Sequence, residues 1–185
     1  MAVQVVNRRA GKKLVRRVAL VLLALMLLAG IDLVAQIRYP RLDAIQKADA
    51  VVVLGEPDVP ALARAQQLLN AGISDNLLLI IPFGAPPQCG APPAGVHVYC
   101  VIPDPLTTRG DARAIRRIAD EHHWTRLVVV TWTSHVSRSR TLIDRCFAGT
   151  VMMTNYPTGY STADWIKEFA HQTAGYVKVV AAPGC

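Results

Sequence analysis

The sequence predicts an α/β fold, a mostly parallel sheet of about five strands covered by helices on both faces, behind one N-terminal transmembrane helix. Three observations carry this. Val18 to Ala35 is an apolar run behind a basic segment, short β-branched runs alternate with stretches of helical period, and no internal repeat or long low-complexity segment interrupts the alternation.

The N-terminal element comes first. Arg8, Arg9, Lys12, Lys13, Arg16 and Arg17 precede VALVLLALMLLAGIDLVA, whose length is close to the roughly 20 residues that cross a bilayer as a helix. Residues 1–17 therefore read as a basic cytoplasmic segment, 18–37 as a transmembrane anchor, 38–47 as a polar tether and 48–185 as an extracytoplasmic domain. A retained anchor is favoured over a cleaved signal peptide because no small-x-small cleavage site follows the apolar core.

Within the domain, Val51 to Leu54 reads as a buried strand ended by Gly55, and Pro57, Asp58 and Pro60 open a helix with Leu62, Ala65, Leu68 and Leu69 on one face. Leu77 to Ile81 is the second strand, a proline-rich loop follows, and Val96 to Ile102 is the third. Thr107 or Thr108 caps a helix with an Ala112, Ile115, Ile118 and Ala119 stripe. Val128 to Val130 marks the fourth strand, a helix begins near Ser137, Thr150 to Thr154 is a weaker fifth strand, and Ser161 or Thr162 caps a last helix. Strands that alternate with helices pair in parallel.

The net charge of +7 would ordinarily raise nucleic acid as a partner. Six of the basic residues precede the apolar run, however, and the remainder carries only about +1, too little for a nucleic-acid footprint. All four cysteines lie beyond the anchor and allow three pairings. Cys89–Cys100 is favoured because GAPPAGVHVY between them is a loop short enough to staple, which leaves Cys146–Cys185. Metal is not expected, since no C-x-x-C or zinc-finger spacing occurs.

The candidate ligand site is the junction VVVTWTSHVSRSR, where a strand's carboxyl end feeds a helix's amino end. Free backbone N–H groups and the helix dipole favour an anion there. His135 and Arg138 share a helical face, Thr133 and Ser134 add hydroxyls, and Arg138 is expected to be an exposed first-turn arginine that contributes little to stability. Gly55, Glu56 and Thr108 are placed across the same crevice; the first turn, LGEPDVP, lacks the further glycines of a dinucleotide fingerprint. Arg109 and Asp111 open the same helix as Thr108, with capping the default role for Asp111. Arg64, Trp165 and Glu168 are left between structural and functional roles. No G-x-S-x-G, H-E-x-x-H or phosphate-binding lysine loop is present.

The order DAVVVLG, a helix with Arg64, TTRGDARAI, VVVTWTSHVSRSR and DWIKE resembles the SanA/YdcF/ElyC-like family of bacterial envelope proteins over most of Ala48 to Tyr176. Its specific part is the T-S-x-H-x-x-R box, Thr133, Ser134, His135 and Arg138 here, together with Thr108. The resemblance implies a Rossmann-like three-layer α/β sandwich, a single membrane anchor, and a part in peptidoglycan or lipid-carrier maintenance through a small anionic or phosphorylated ligand. It names neither catalytic residues nor a cofactor. IPFGAPPQCGAPPAG stands where many members have Ser-Gly-Gly and an acidic residue. A non-catalytic scaffold that contacts partner proteins is therefore the alternative.

Overall fold

The computed structural model describes residues 8–84 and 86–185. These fall into two compact units divided between Ala35 and Gln36. The first consists of most of helix α1 (Arg8–Arg38), whose stretch Gly11–Arg38 is long and apolar enough to cross a membrane. Its apolar side chains from Leu14 to Ile31 are exposed on all sides, as a helix solvated by lipid requires.

The second unit is an α/β domain with a five-stranded sheet in the order β3-β2-β1-β4-β5. The strands are β1 (Ala50–Val53), β2 (Asn76–Ile80), β3 (His97–Val101), β4 (Arg126–Trp132) and β5 (Thr150–Tyr156). Every pairing is parallel, so all the strands' carboxyl ends share one edge of the sheet. Because β2 and β4 flank β1 on opposite sides, the chain reverses its winding between β1 and β4, where a crevice opens.

Helix α2 (Val59–Asn70) covers one face, burying Ala61, Ala65, Leu68 and Leu69 against Val51, Val53, Leu79 and Val128. Helices α3 (Thr108–Glu121) and α4 (Val136–Cys146) cover the other through Ala112, Ile115, Leu142 and Ile143. Strands β1, β2 and β4 read as continuous apolar runs because helices shield both of their faces. Helix α5 (Thr162–Ala181) packs on α4, and a capping box between Ser161 and Asp164 satisfies its first turn.

Both expected disulfides are present. Cys89–Cys100 fastens the proline-rich loop to β3, and Cys146–Cys185 ties the end of α4 to the last residue of the chain. Within 38–47, read as a polar tether, Asp43 is docked on the domain. The Asp43 amide donates to the Met153 carbonyl (3.0 Å), while the Asp43 carboxylate accepts from the Met153 amide (2.7 Å) and pairs with Arg140 (2.7 Å). The segment thereby covers the outer edge of β5, which would otherwise present unpaired backbone groups.

Candidate functional site

A cleft of about 360 Å³ lies at the carboxyl ends of the strands. Gly55 enters it from β1, Pro82 and Phe83 from β2, Leu106 to Thr108 from β3, and Trp132 and His135 from β4; α5 closes it with His171, Gly175 and Lys178. A larger depression of about 510 Å³ runs along the flank of α3, but its charged lining residues are exposed and none is held as a buried polar group.

His135 sits in a single 3₁₀ turn, Thr133–His135, between β4 and α4, and is only 2% exposed. Its ring stacks on Trp132 with centroids 4.2 Å apart. Nδ1 meets the hydroxyls of Thr131 and Ser139, each at 3.0 Å, and Nε2 meets the Thr108 hydroxyl at 3.2 Å. Arg138 has only donors, and its Nη1 donates to the same Thr108 oxygen at 2.9 Å. Thr108 therefore accepts from Arg138, and its own proton is free for His135 Nε2 in the tautomer that carries the ring proton on Nδ1, where the Thr131 and Ser139 oxygens stand as acceptors. Burial first, then the nearby Arg138 and His171, keep the imidazole well below its ordinary pKa and hence neutral.

Arg138 is 8% exposed, which corrects the expectation of an exposed first-turn arginine. The reason is α5. Arg138 Nε donates to Gln172 Oε1 at 2.6 Å, and a Cβ on Gly175 would lie 2.7 Å from Arg138 Cδ, so the glycine makes room for the side chain. Arg138 belongs to neither of the ion pairs among the described residues. Burial pulls its pKa below the ordinary value, against the fields of Glu168, Tyr176 and Asp111, but a guanidinium starts so high that it keeps its charge.

Glu168 on α5 lies behind Trp132 and His135. Burial pushes its carboxyl up, but hydrogen bonds from Ser134 (2.7 Å), Gln172 (2.7 Å) and Trp132 Nε1 (3.0 Å) together outweigh burial and hold the pKa below the ordinary value. This anion fixes the ring on which His135 stacks. Asp111 lines the cleft from α3, 8% exposed and with no hydrogen bond to its carboxyl among the described residues; burial lifts it to about 7 even though Arg138 opposes the rise.

Gly55, Thr108, His135 and Arg138 thus meet in one cleft. Gly55 has a φ of +79°, and a Cβ there would lie 2.7 Å from the Trp132 ring, so both the turn and the close approach require glycine. Glu56 is exposed and does not line the cleft, because the chain beyond Gly55 turns toward α2 on the opposite face. Ser134 and Thr133 also lie behind the lining: Ser134 holds Glu168, and Thr133 accepts from Asn155 Nδ2 at 2.8 Å. Arg64 reaches Thr154 (3.0 Å) from α2, away from the cleft. The cap of α3 is Thr107, whose hydroxyl accepts from the Gly110 amide, which leaves Thr108 and Asp111 free to face the cleft.

Sequence reasoning missed Asp111, Thr131, Ser139, Gln172, Gly175 and Lys178 as parts of the site. One signal was available: Glu168, Gln172, Gly175 and Lys178 recur every three or four residues, a polar and small stripe along α5 that a solvated face does not need. Comparison with protein-family models, with characterised proteins and with solved structures finds no match to this chain.

Proposed function

We propose that this is a membrane-anchored, extracytoplasmic domain that binds a small anionic, phosphorylated ligand at the carboxyl edge of its sheet, in the manner of the SanA/YdcF/ElyC-like envelope proteins it resembles. The observation that carries the reading is Arg138, a buried guanidinium that lines the cleft, is held by two neutral side chains and belongs to neither ion pair among the described residues. A buried charge is ordinarily paired, and a planar guanidinium matches phosphate geometry. Lys178 at the rim adds a second cation. The six basic residues ahead of the apolar helix support an inside amino terminus, and two disulfides suit an oxidising compartment outside.

Calorimetric titration of the full chain in detergent micelles with inorganic phosphate and pyrophosphate tests the ligand class. Saturable binding is expected, weakened by up to about fivefold in Lys178→Ala, since an exposed charge contributes up to about 1 kcal/mol. Absence of binding by either anion would refute it. Reporter fusions after Cys185 test the topology, and activity of a cytoplasmic reporter there would overturn it.

A further inference from the structure

We propose that the cleft is a catalytic site in which Thr108 is the nucleophile, His135 its general base and Asp111 the general acid, acting on a phosphate ester. This rests on the anion-binding reading above and adds chemistry to it. A hydroxyl nucleophile needs a base within hydrogen-bond reach, a third group that orients the base, and a donor or cation beside the reacting oxygen. All three are in place around Thr108. His135 Nε2 stands 3.2 Å away, Thr131 and Ser139 hold the far nitrogen at 3.0 Å each, and Arg138 Nη1 donates to Oγ1 at 2.9 Å, which favours the developing alkoxide.

The imidazole has no freedom to serve otherwise. Stacking on Trp132 fixes its plane, Glu168 fixes Trp132, and burial keeps the ring neutral, the form a base needs. An anion seated beside Arg138 offsets the cation that otherwise disfavours imidazolium, so the base strengthens as substrate arrives. Thr108 and Asp111 are three residues apart on α3 and both line the cleft, which puts nucleophile and acid on one helical face. Burial of the Asp111 carboxyl in the cleft wall keeps a proton available near neutral pH.

The chemistry balances with water alone. Thr108 Oγ1 bonds to phosphorus as the bond to the leaving oxygen breaks; the hydroxyl proton passes to His135 Nε2, and Asp111 gives its proton to the leaving alcohol. Water then attacks the phosphothreonine and yields its proton to Asp111, while the departing Thr108 oxygen recovers a proton from His135. From a phosphate monoester the products are the free alcohol and inorganic phosphate.

Diisopropyl fluorophosphate is a direct probe, because the same attack expels fluoride and leaves a stable adduct. The full chain in micelles should gain one adduct, mapped by mass to the peptide that contains Thr108. Thr108→Ser should keep the labelling, Thr108→Val should lose it, and His135→Gln should slow it at least a hundredfold with both disulfides and the melting transition intact. Should His135→Gln fail to fold, the Thr108→Ser and Thr108→Val pair decides. No adduct, or an adduct elsewhere only, overturns the nucleophile even where calorimetry finds phosphate bound. An adduct on Thr108 that saturating phosphate does not slow leaves the nucleophile standing and removes the anion reading instead.

Discussion

Two strand-to-helix junctions at the same edge of the sheet have opposite fates. After β1, the chain passes Gly55 and an exposed Glu56 and turns away to α2. After β4, it makes one 3₁₀ turn and places His135 and Arg138 almost wholly out of solvent. Residue type does not separate the two, since each has an ionisable side chain three residues past its strand, Glu56 after Val53 and His135 after Trp132. What separates them is α5, a helix distant in sequence that lays Glu168, Gln172 and Gly175 against the second junction, while Glu56 at the first stays exposed. Enclosure, supplied from elsewhere in the chain, turns a solvated charge into a site.

The largest test of that enclosure is pH. Asp111 forms part of the wall opposite Arg138, and its folded pKa of about 7 exceeds the ordinary value of 3.8. The folded state therefore holds this proton more tightly than the unfolded one. The stability tied to it is fully present below about pH 4 and is lost as pH rises to about 7, at a slope of up to about 1.4 kcal/mol per pH unit. His135, with a depressed pKa, acts in the opposite direction, losing stability as pH falls below 6.5, so the informative quantity is the difference between two proteins. Denaturant unfolding of the native chain and of Asp111→Asn across this window should show the variant gaining relative stability toward pH 7. Parallel curves would mean that the carboxyl is solvated.

Next in size is Arg138→Ala. It strips the partner from Gln172 Oε1, removes a donor from Thr108, and leaves space beside Gly175. A hydrogen bond to a charged group contributes about 1.5–3 kcal/mol, so a loss of about 3 kcal/mol is expected in urea unfolding. A change under about 0.5 kcal/mol, the usual size at an exposed position, would return this arginine to the solvated face the sequence alone assigned it.

How far the site was legible follows from the same contrast. The parallel sheet was readable because β1, β2 and β4 are short apolar runs, the first two stopped by Gly55 and Pro82 and the third by Thr133 and Ser134, a local signal. Both disulfides were readable because one loop is short and two cysteines remained. His135, Arg138, Thr108 and Gly55 were readable because they stand at strand ends, where a parallel sheet gathers them. The burial of Arg138 was not, since it depends on Gln172 and Gly175, more than thirty residues downstream. Asp111 looked like a cap because caps and cleft residues both occupy first turns, and only the Thr107 hydrogen bond to Gly110 shows the cap to be already made. The docking of Asp43 was not legible because its partners, the Met153 backbone and Arg140, lie about a hundred residues downstream.

The smallest expected effect sharpens the contrast from its open side. Glu56 is exposed, takes part in neither of the ion pairs among the described residues and faces away from the cleft, so Glu56→Ala should shift stability by less than about 0.5 kcal/mol and leave phosphate affinity unchanged. Its neighbour behaves differently. Gly55→Ala would set a Cβ against the Trp132 ring and force a positive φ on alanine, and the ring it displaces is the one that carries His135. Strain of this kind is of order 1–3 kcal/mol, and it should reach the site as well as the fold. Thermal melts paired with phosphate titration of the two single variants read both effects. A Glu56→Ala variant that weakens phosphate binding as much as Gly55→Ala would mean that the first junction closes over the ligand, and that the cleft has two walls of chemistry where α5 now accounts for one.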